Sequence, residues 1–362
     1  MTRQTTTCRI ALVLILASAV CTTACRQGAA AASGAESASL PAGTSPYDVE
    51  TTDIARVLGG MPPARTEALA GLLATPAWRA YEAEARTRWS AAWSSRWEPV
   101  RGWAGIELKG PAGRCQTLLH PFGGADFLPA FLMFPACEGY VLVGSEPVGQ
   151  MPTFTEATAS KVAAMADEVR RSFPEVFTQG SGARRRAESS PARPGALRLL
   201  LVQLAHLDAR IVQASRFDLA SNGRPLEAIP IRGGNARPTA LSLTFEVPGG
   251  RPQSLVYLPA DLDDAAMRRR PGVWTFLKLQ APFTALLAPA GELGGDQTTI
   301  LRALILDQSS AILQDRPAIP GHLLVQRRWT ISTLSDAPAA AFGPGASPTL
   351  ALRRAPSAGR GR

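Results

Sequence analysis

Everything before Tyr47 is closed to a folded core. Arg3 and Arg9 make a basic start, Ile10 to Val20 is apolar apart from Ser18, and small residues lead up to Cys25. That is the build of a secretory signal peptide, expected over residues 1–24. A membrane-spanning helix needs about 20 apolar residues, and this run stops short of that. Two cleavage sites are open: before Cys25, following Thr22-Thr23-Ala24 as in a lipoprotein, or after Ala17-Ser18-Ala19. The first is the expectation taken, with lipid attached to Cys25, although Thr22 stands where a lipobox usually carries Leu or Val. Residues 25–46 are rich in Ala, Gly and Ser with almost no large apolar side chain, which predicts a flexible tether.

The fold must therefore come from residues 47–352, with a disordered tail expected over 353–362. At 46% apolar residues the chain has material for a large core, either one domain or two closely packed lobes. A low-complexity stretch, residues 180–195, reads as a mobile loop between an N-terminal lobe (47–179) and a C-terminal lobe (196–352). Of five cysteines, Cys8 and Cys21 leave with the signal and Cys25 carries lipid. The even pair that remains, Cys115 and Cys137, is 22 residues apart and reads as a disulfide in an oxidising compartment; two buried thiols are the alternative.

The formal net charge is +9 and is carried almost wholly by arginine, lysine occurring only at positions 109, 161 and 278. Basic clusters at Arg184-Arg185-Arg186, Arg268-Arg269-Arg270 and Arg327-Arg328 read as solvated loop and helix-end charges. An exported chain seldom meets nucleic acid, so no nucleic-acid partner is expected. Anionic lipid head groups or surface polysaccharides are the ligands such clusters fit.

Helices are predicted over Asp53–Leu58, Arg65–Ala74, from Thr75-Pro76 onward, over Thr155–Ser172, Leu197–Leu207 and Thr298–Asp315. In the third, Trp78, Tyr81, Ala85, Trp89, Ala92 and Trp93 share one stripe, with Glu82/Arg86 and Glu84/Arg88 pairs away from it. Residues 104–149 turn to β character, with strands at Cys115–His120 and Tyr140–Gly144. Strands at Ala209–Leu219, Ala240–Val247 and Gln253–Leu258, with Asn222-Gly223 and Gly249-Gly250 turns, suggest an antiparallel meander. The acidic run Asp261-Leu262-Asp263-Asp264 reads as a charged helix start, with a divalent cation as the alternative. The resulting fold class is α+β, a mostly antiparallel sheet flanked by helices.

Chemistry-bearing residues are few. His120-Pro121-Phe122-Gly123-Gly124-Ala125-Asp126-Phe127 is a tight turn that fixes Asp126, and Glu146 ends a strand. Asp315 falls on the apolar stripe of the last predicted helix and calls for a cationic or hydrogen-bonding partner such as Arg302 or Arg316. The segments PFGGADFLPAFLMFPACEGYVLVGSEPVG and ILDQSSAILQDRPAIP resemble two landmarks of an uncharacterised family of exported bacterial proteins. The resemblance rests on Pro121, Phe122, Gly124, Asp126, Phe127, Glu146, Pro147 and Gly149, covers most of Ala77 to Phe342, and implies export without implying an activity. This chain departs from the pattern at Arg316, where relatives have a second acidic residue, and at Ser332 to Asp336, which lacks a Gly-x-Tyr.

No GxSxG, SxxK, HExxH or phosphate-binding glycine loop occurs. His120, His206 and His322 are too scattered to predict a metal site, and no cofactor is expected. Two function classes remain: a non-catalytic envelope protein that binds a glycan, a lipid or another envelope component, held at the membrane by Cys25, and a hydrolase of envelope polymers. The second draws a pair of carboxylates from Asp126, Glu146 and Asp315, with His120 as a further candidate. The first is the expectation taken, because isolated candidates do not make a catalytic constellation.

Overall fold

Three of the described helices start where the side-chain oxygen of the N-cap residue takes an amide that the first turn leaves unpaired. The structure, a computed structural model, describes residues 48–63, 69–123, 125–151, 195–231, 240–288, 293, 295–315, 318–342 and 345–354. Asp48 accepts from the Thr51 amide at 3.0 Å and opens α1 (Val49–Leu58), ahead of the expected start at Asp53. Thr75 accepts from the Trp78 amide at 3.1 Å and opens α2 (Pro76–Ala92). On α2, Trp78, Tyr81 and Ala85 are buried, and the pairs Glu82–Arg86 and Glu84–Arg88, each at 2.7 Å, lie off the stripe. A π-helical turn, Trp93–Trp97, leads into α3 (Glu98–Glu107). Then follow α4 (Phe127–Met133), α5 (Ala196–His206), α6 (Asp264–Arg269), α7 (Pro271–Leu279), α8 (Thr299–Gln308), α9 (Gly321–Gln326) and α10 (Ala339–Phe342).

The acidic run before α6 charges two helix starts. Asp263 accepts from the Ala266 amide at 2.7 Å, and Asp264 reaches across to α8, accepting from the Ile300 amide at 2.9 Å and from the Thr299 hydroxyl. Burial alone pushes the Asp264 carboxyl up. The hydrogen bonds from Thr299 and Ile300, with the charges of Arg268 and Arg302, outweigh it and hold the group below the usual carboxylate range.

Ten strands form one open sheet: β1 (Thr117–His120), β2 (Gly139–Gly144), β3 (Arg210–Phe217), β4 (Ile229–Pro230), β5 (Ala240–Glu246), β6 (Gln253–Pro259), β7 (Phe283–Leu287), β8 (Ser309–Gln314), β9 (Trp329–Thr333) and β10 (Thr349–Arg353). Their order is β4-β3-β5-β6-β2-β1-β7-β8-β10-β9. The fold is α+β with a mostly antiparallel sheet: five pairings, at the two flanks, are antiparallel. Four parallel pairings join β6, β2, β1, β7 and β8 in the middle. The β3-β5-β6 meander runs as its turn residues suggested, with Gly249 at φ 71° between β5 and β6.

Strand alternation divides the core between the two faces of the sheet. Leu118, Tyr140, Leu142, Leu243, Phe245, Leu255 and Tyr257 pack with α1, α3, α4 and α5 on one face. Leu119, Val141, Val143, Val256, Leu258, Ala285 and Ile312 pack with α6, α7, α8 and α9 on the other. Phe127, Phe131, Tyr140 and Phe245 interlock on the first face, with Phe127 edge-on to Tyr140 at 5.1 Å and to Phe245 at 5.4 Å.

The structure corrects several local expectations. The helix expected over Thr298–Asp315 ends at Gln308; Ser309 is already extended, with ψ 146°, and Ser309–Gln314 is β8. Ile312 and Leu313 pack on opposite faces of the sheet, so the apolar run satisfies strand period as well as helical period, and pairing with β7 and β10 decides it. Asp315 thus follows a strand and not a helix. Helix α3 runs to Glu107 inside the stretch read as β, and α4 occupies the apolar run after Asp126. Arg353, expected in a disordered tail, belongs to β10 and faces Trp329. The signal peptide, the tether through residue 46, the Thr155–Ser172 helix, nearly all of the 180–195 loop, the start of the Arg65–Ala74 helix and residues 355–362 lie outside the described residues.

Cys115 and Cys137 are joined by a disulfide that closes the β1-α4-β2 unit, both ends being buried. Its 22-residue span corresponds to about 3 kcal/mol of loop-closure entropy. The Cys115→Ser, Cys137→Ser double variant is therefore expected to lose about 3 kcal/mol in urea unfolding, and an unchanged midpoint would remove the bridge from the stability account.

His206, the last residue of α5, stacks on Trp89 with ring centroids 3.8 Å apart. Burial pushes its pKa down to about 3, below the unfolded value of about 6.5. The unfolded chain therefore binds the proton more tightly. The stabilising contribution is complete above about pH 6.5 and is lost as pH falls from there toward 3. Between about pH 6.5 and pH 4 the wild type is expected to lose up to about 3 kcal/mol that His206→Phe retains. Parallel stability profiles for the two chains in that window would contradict it.

Candidate functional site

In the parallel block all five strands point the same way, so the residues that follow them gather at one edge of the sheet. From β1 the chain crosses to β2 through α4 on one face; from β7 it crosses to β8 through α8 on the other. The chain thus leaves the β1/β7 boundary in opposite directions. At such a switch point, loops at the C-terminal ends of parallel strands build ligand sites in open sheets.

The distinctive turn of the sequence lies there. His120 ends β1, is 3% exposed, and its Nδ1 donates to the Leu286 carbonyl of β7 at 3.0 Å, so it ties the two strands together at the boundary. The loop backbone returns over the imidazole: a Cβ on Gly123 would lie 2.0 Å from His120 Cδ2, so only glycine fits. The Asp126 amide then donates to the Gly123 carbonyl at 2.9 Å, and Asp126 takes the N-cap position of α4.

The Asp126 side chain makes no capping bond to α4. Gln203 of α5, fully buried, does that work: its Oε1 accepts from the Leu128 amide at 2.6 Å and its Nε2 donates to the Ala125 carbonyl at 2.6 Å. One amide group therefore clamps the backbone on both sides of Asp126, itself half-buried.

Glu146, beyond β2, is held by Tyr257 of β6, whose hydroxyl lies 2.7 Å from the Glu146 carbonyl and 3.1 Å from Oε2. Asp315, beyond β8, is 4% exposed. His120, Asp126, Glu146 and Asp315 thus share one edge, but three strand spacings of about 4.8 Å set the ends of β2 and β8 about 14 Å apart. A pair of catalytic carboxylates requires about 5 to 10 Å. Arg302, considered as a partner for Asp315, donates to the Leu293 and Gly295 carbonyls at 2.8 and 2.9 Å. Arg316 lies outside the described residues.

Gln203, Tyr257 and Gly195 are parts of this edge that sequence reasoning missed, and Gly149 entered it only as a position of the resemblance. A Cβ on Gly195 would lie 2.1 Å from Gly149 Cα, and the Ala196 and Leu197 amides donate to the Pro147 and Val148 carbonyls, both at 2.9 Å. The strand end carrying Glu146 is thereby pinned to the start of α5. A usable signal existed in one case: Gln203 is a lone amide in the apolar run Leu199-Leu200-Leu201-Val202-Gln203-Leu204-Ala205, and such a buried amide needs both a donor and an acceptor.

Two of the basic clusters supply contacts that hold the structure, and Arg184-Arg185-Arg186 lies outside the described residues. Arg268 faces Asp264 at 3.9 Å, Arg270 donates to the Pro259 carbonyl at 2.6 Å, and Arg327 pairs with Asp307. Among the described residues no group of three or more His, Cys, Asp or Glu side chains is placed to hold a metal ion, and no helix is long and apolar enough to cross a membrane.

These features define the class: an α+β protein whose polar loop residues gather at the switch point of a central parallel block. No family model matches the chain, no curated protein is significantly similar to it in sequence, and no solved structure is significantly similar to it in fold.

Proposed function

We propose that the chain is an exported bacterial envelope protein, anchored by lipid on Cys25, that binds a glycan, a lipid or another envelope component without turning it over. The binding surface is the C-terminal edge of β1 and β2. One observation carries this reading: the polar groups at that edge are fastened to the scaffold, His120 by Leu286, Glu146 by Tyr257 and the Asp126 turn by Gln203. Such fastening supports a preorganised recognition surface. Export and anchoring rest on the residues up to Cys25 and on the resemblance to exported proteins.

Anchoring is tested by labelling a bacterial host that expresses the full chain with a palmitate analogue. The wild type is expected to carry label and to sediment with membranes, and Cys25→Ser to lose both. An unlabelled wild type would sink the anchor.

The competing reading, a hydrolase using carboxylates drawn from Asp126, Glu146 and Asp315, has their common edge in its favour. It predicts that the protein releases soluble fragments from purified sacculi and that Asp126→Asn abolishes the release while the fold persists.

A further inference from the structure

Arg216 is a buried cation with too few acceptors. It lies near the end of β3, is 5% exposed, and donates through Nη2 to the Gly149 carbonyl at 2.6 Å. Its Nε is buried and has no hydrogen-bond partner, and among the described residues no carboxylate pairs with it. A guanidinium carries five N–H donors, and burying its charge against one neutral carbonyl is costly, so buried arginines are ordinarily matched by carboxylate or phosphate.

Register places this group at the edge already described. Arg216 pairs with Leu241, Leu241 with Tyr257, Tyr257 with Leu142, and Leu142 with His120, one row across the sheet. Leu241, Tyr257 and Leu142 in that row pack on the face that carries α4 and α5. Glu146, the nearest acidic residue in sequence to the carbonyl that Arg216 holds, is engaged by Tyr257. The backbone beside the guanidinium is the close Gly149–Gly195 contact.

We propose that Arg216 is an anion-recognition residue and that the component bound at this edge presents a carboxylate or a phosphate to its Nε. The inference rests on the binding reading above and gives that ligand a chemical class. A planar guanidinium fork suits either oxyanion, and lysine does not reproduce it.

The test is calorimetric titration of the purified full chain with inorganic phosphate and, in a separate arm, with succinate, against chloride at matched ionic strength. Saturable binding in at least one arm is expected, weakened about tenfold or more by Arg216→Gln and not restored by Arg216→Lys. The arm that binds assigns phosphate or carboxylate. Equal binding by wild type and Arg216→Gln, or no binding in either arm, overturns the proposal. Should the variants fail to fold, wild-type crystals soaked in tungstate decide: a peak within hydrogen-bond reach of Arg216 Nε is expected, and a map without one there refutes it. Photo-crosslinking at Ser145 probes the binding reading separately, so a chain that crosslinks there and ignores both anions loses only the anion assignment.

Discussion

Replacing Gln203 by alanine is expected to lower the stability of the protein by about 3 kcal/mol or more. The Leu128 amide and the Ala125 carbonyl each hold a 2.6 Å bond to this one side chain, and the site excludes water. Truncation leaves a donor and an acceptor buried without partners, each costing about 1–3 kcal/mol. It also opens a void between α5 and α4. The loss should appear in urea unfolding as a lower midpoint, and in hydrogen exchange as faster exchange of the Leu128 amide than of amides in β2. Gln203→Glu separates the two bonds: its carboxylate still accepts from Leu128 but has no hydrogen to donate to Ala125. A Gln203→Ala chain as stable as the wild type would show that α4 is held in another way, and that the Asp126 turn is not preorganised by α5.

Gly149→Ala is expected to be comparably severe. Gly149 has φ 80°, a left-handed conformation that costs a residue with a side chain about 1 kcal/mol or more. The added Cβ would also lie 2.5 Å from Gly195 Cα. Nothing there is a flexible side-chain end; backbone faces backbone, so either the end of β2 or the start of α5 must move. A loss of about 3 kcal/mol or more follows from strain and overpacking together. Gly102→Ala supplies the comparison. Gly102 lies within α3 with no atom within 4 Å of an added Cβ, so that substitution is expected to stabilise by about 0.5 kcal/mol. Similar effects from the two substitutions would mean that the Gly149–Gly195 contact is not close in solution.

Particular residues explain how much of this was legible beforehand. Thr75-Pro76 and the Trp78-Tyr81-Ala85 stripe are local signals, and the helix they mark is present almost as read. The cysteine pair was legible by count. The β3-β5-β6 meander was legible because its strands are apolar runs bounded by glycine-containing turns, the β5–β6 connection being short as well. The central parallel block was not, because β1, β2, β7 and β8 are short, apolar on both faces and joined by helices, which removes the alternation that marks a half-exposed strand. Ser309–Gln314 shows the same failure in one segment: its apolar spacing fits a helix when read alone, and only the neighbouring strands make it β8. The candidate residues His120, Asp126, Glu146 and Asp315 were singled out singly from turns and segment ends. That they share one edge follows from strand direction, a long-range property. Arg216 and Gln203 were not singled out at all: Gln203 carried a signal as a lone amide in an apolar run, whereas nothing in the sequence says that Arg216 loses its water.

The measurement that tests the central claim most directly is site-specific photo-crosslinking in the host envelope, with a benzophenone side chain introduced at Ser145 or, separately, at Glu138. Both positions are exposed; Ser145 follows the C-terminal end of β2 and Glu138 precedes its N-terminal end, so the two probes sit at opposite edges of the sheet. A benzophenone captures C–H bonds of glycan, lipid or protein alike. Covalent adducts from position 145 and none from position 138 are the result this account predicts. Adducts from position 138 alone, or from neither position, would contradict the assignment of the C-terminal edge as the place where this protein meets its ligand.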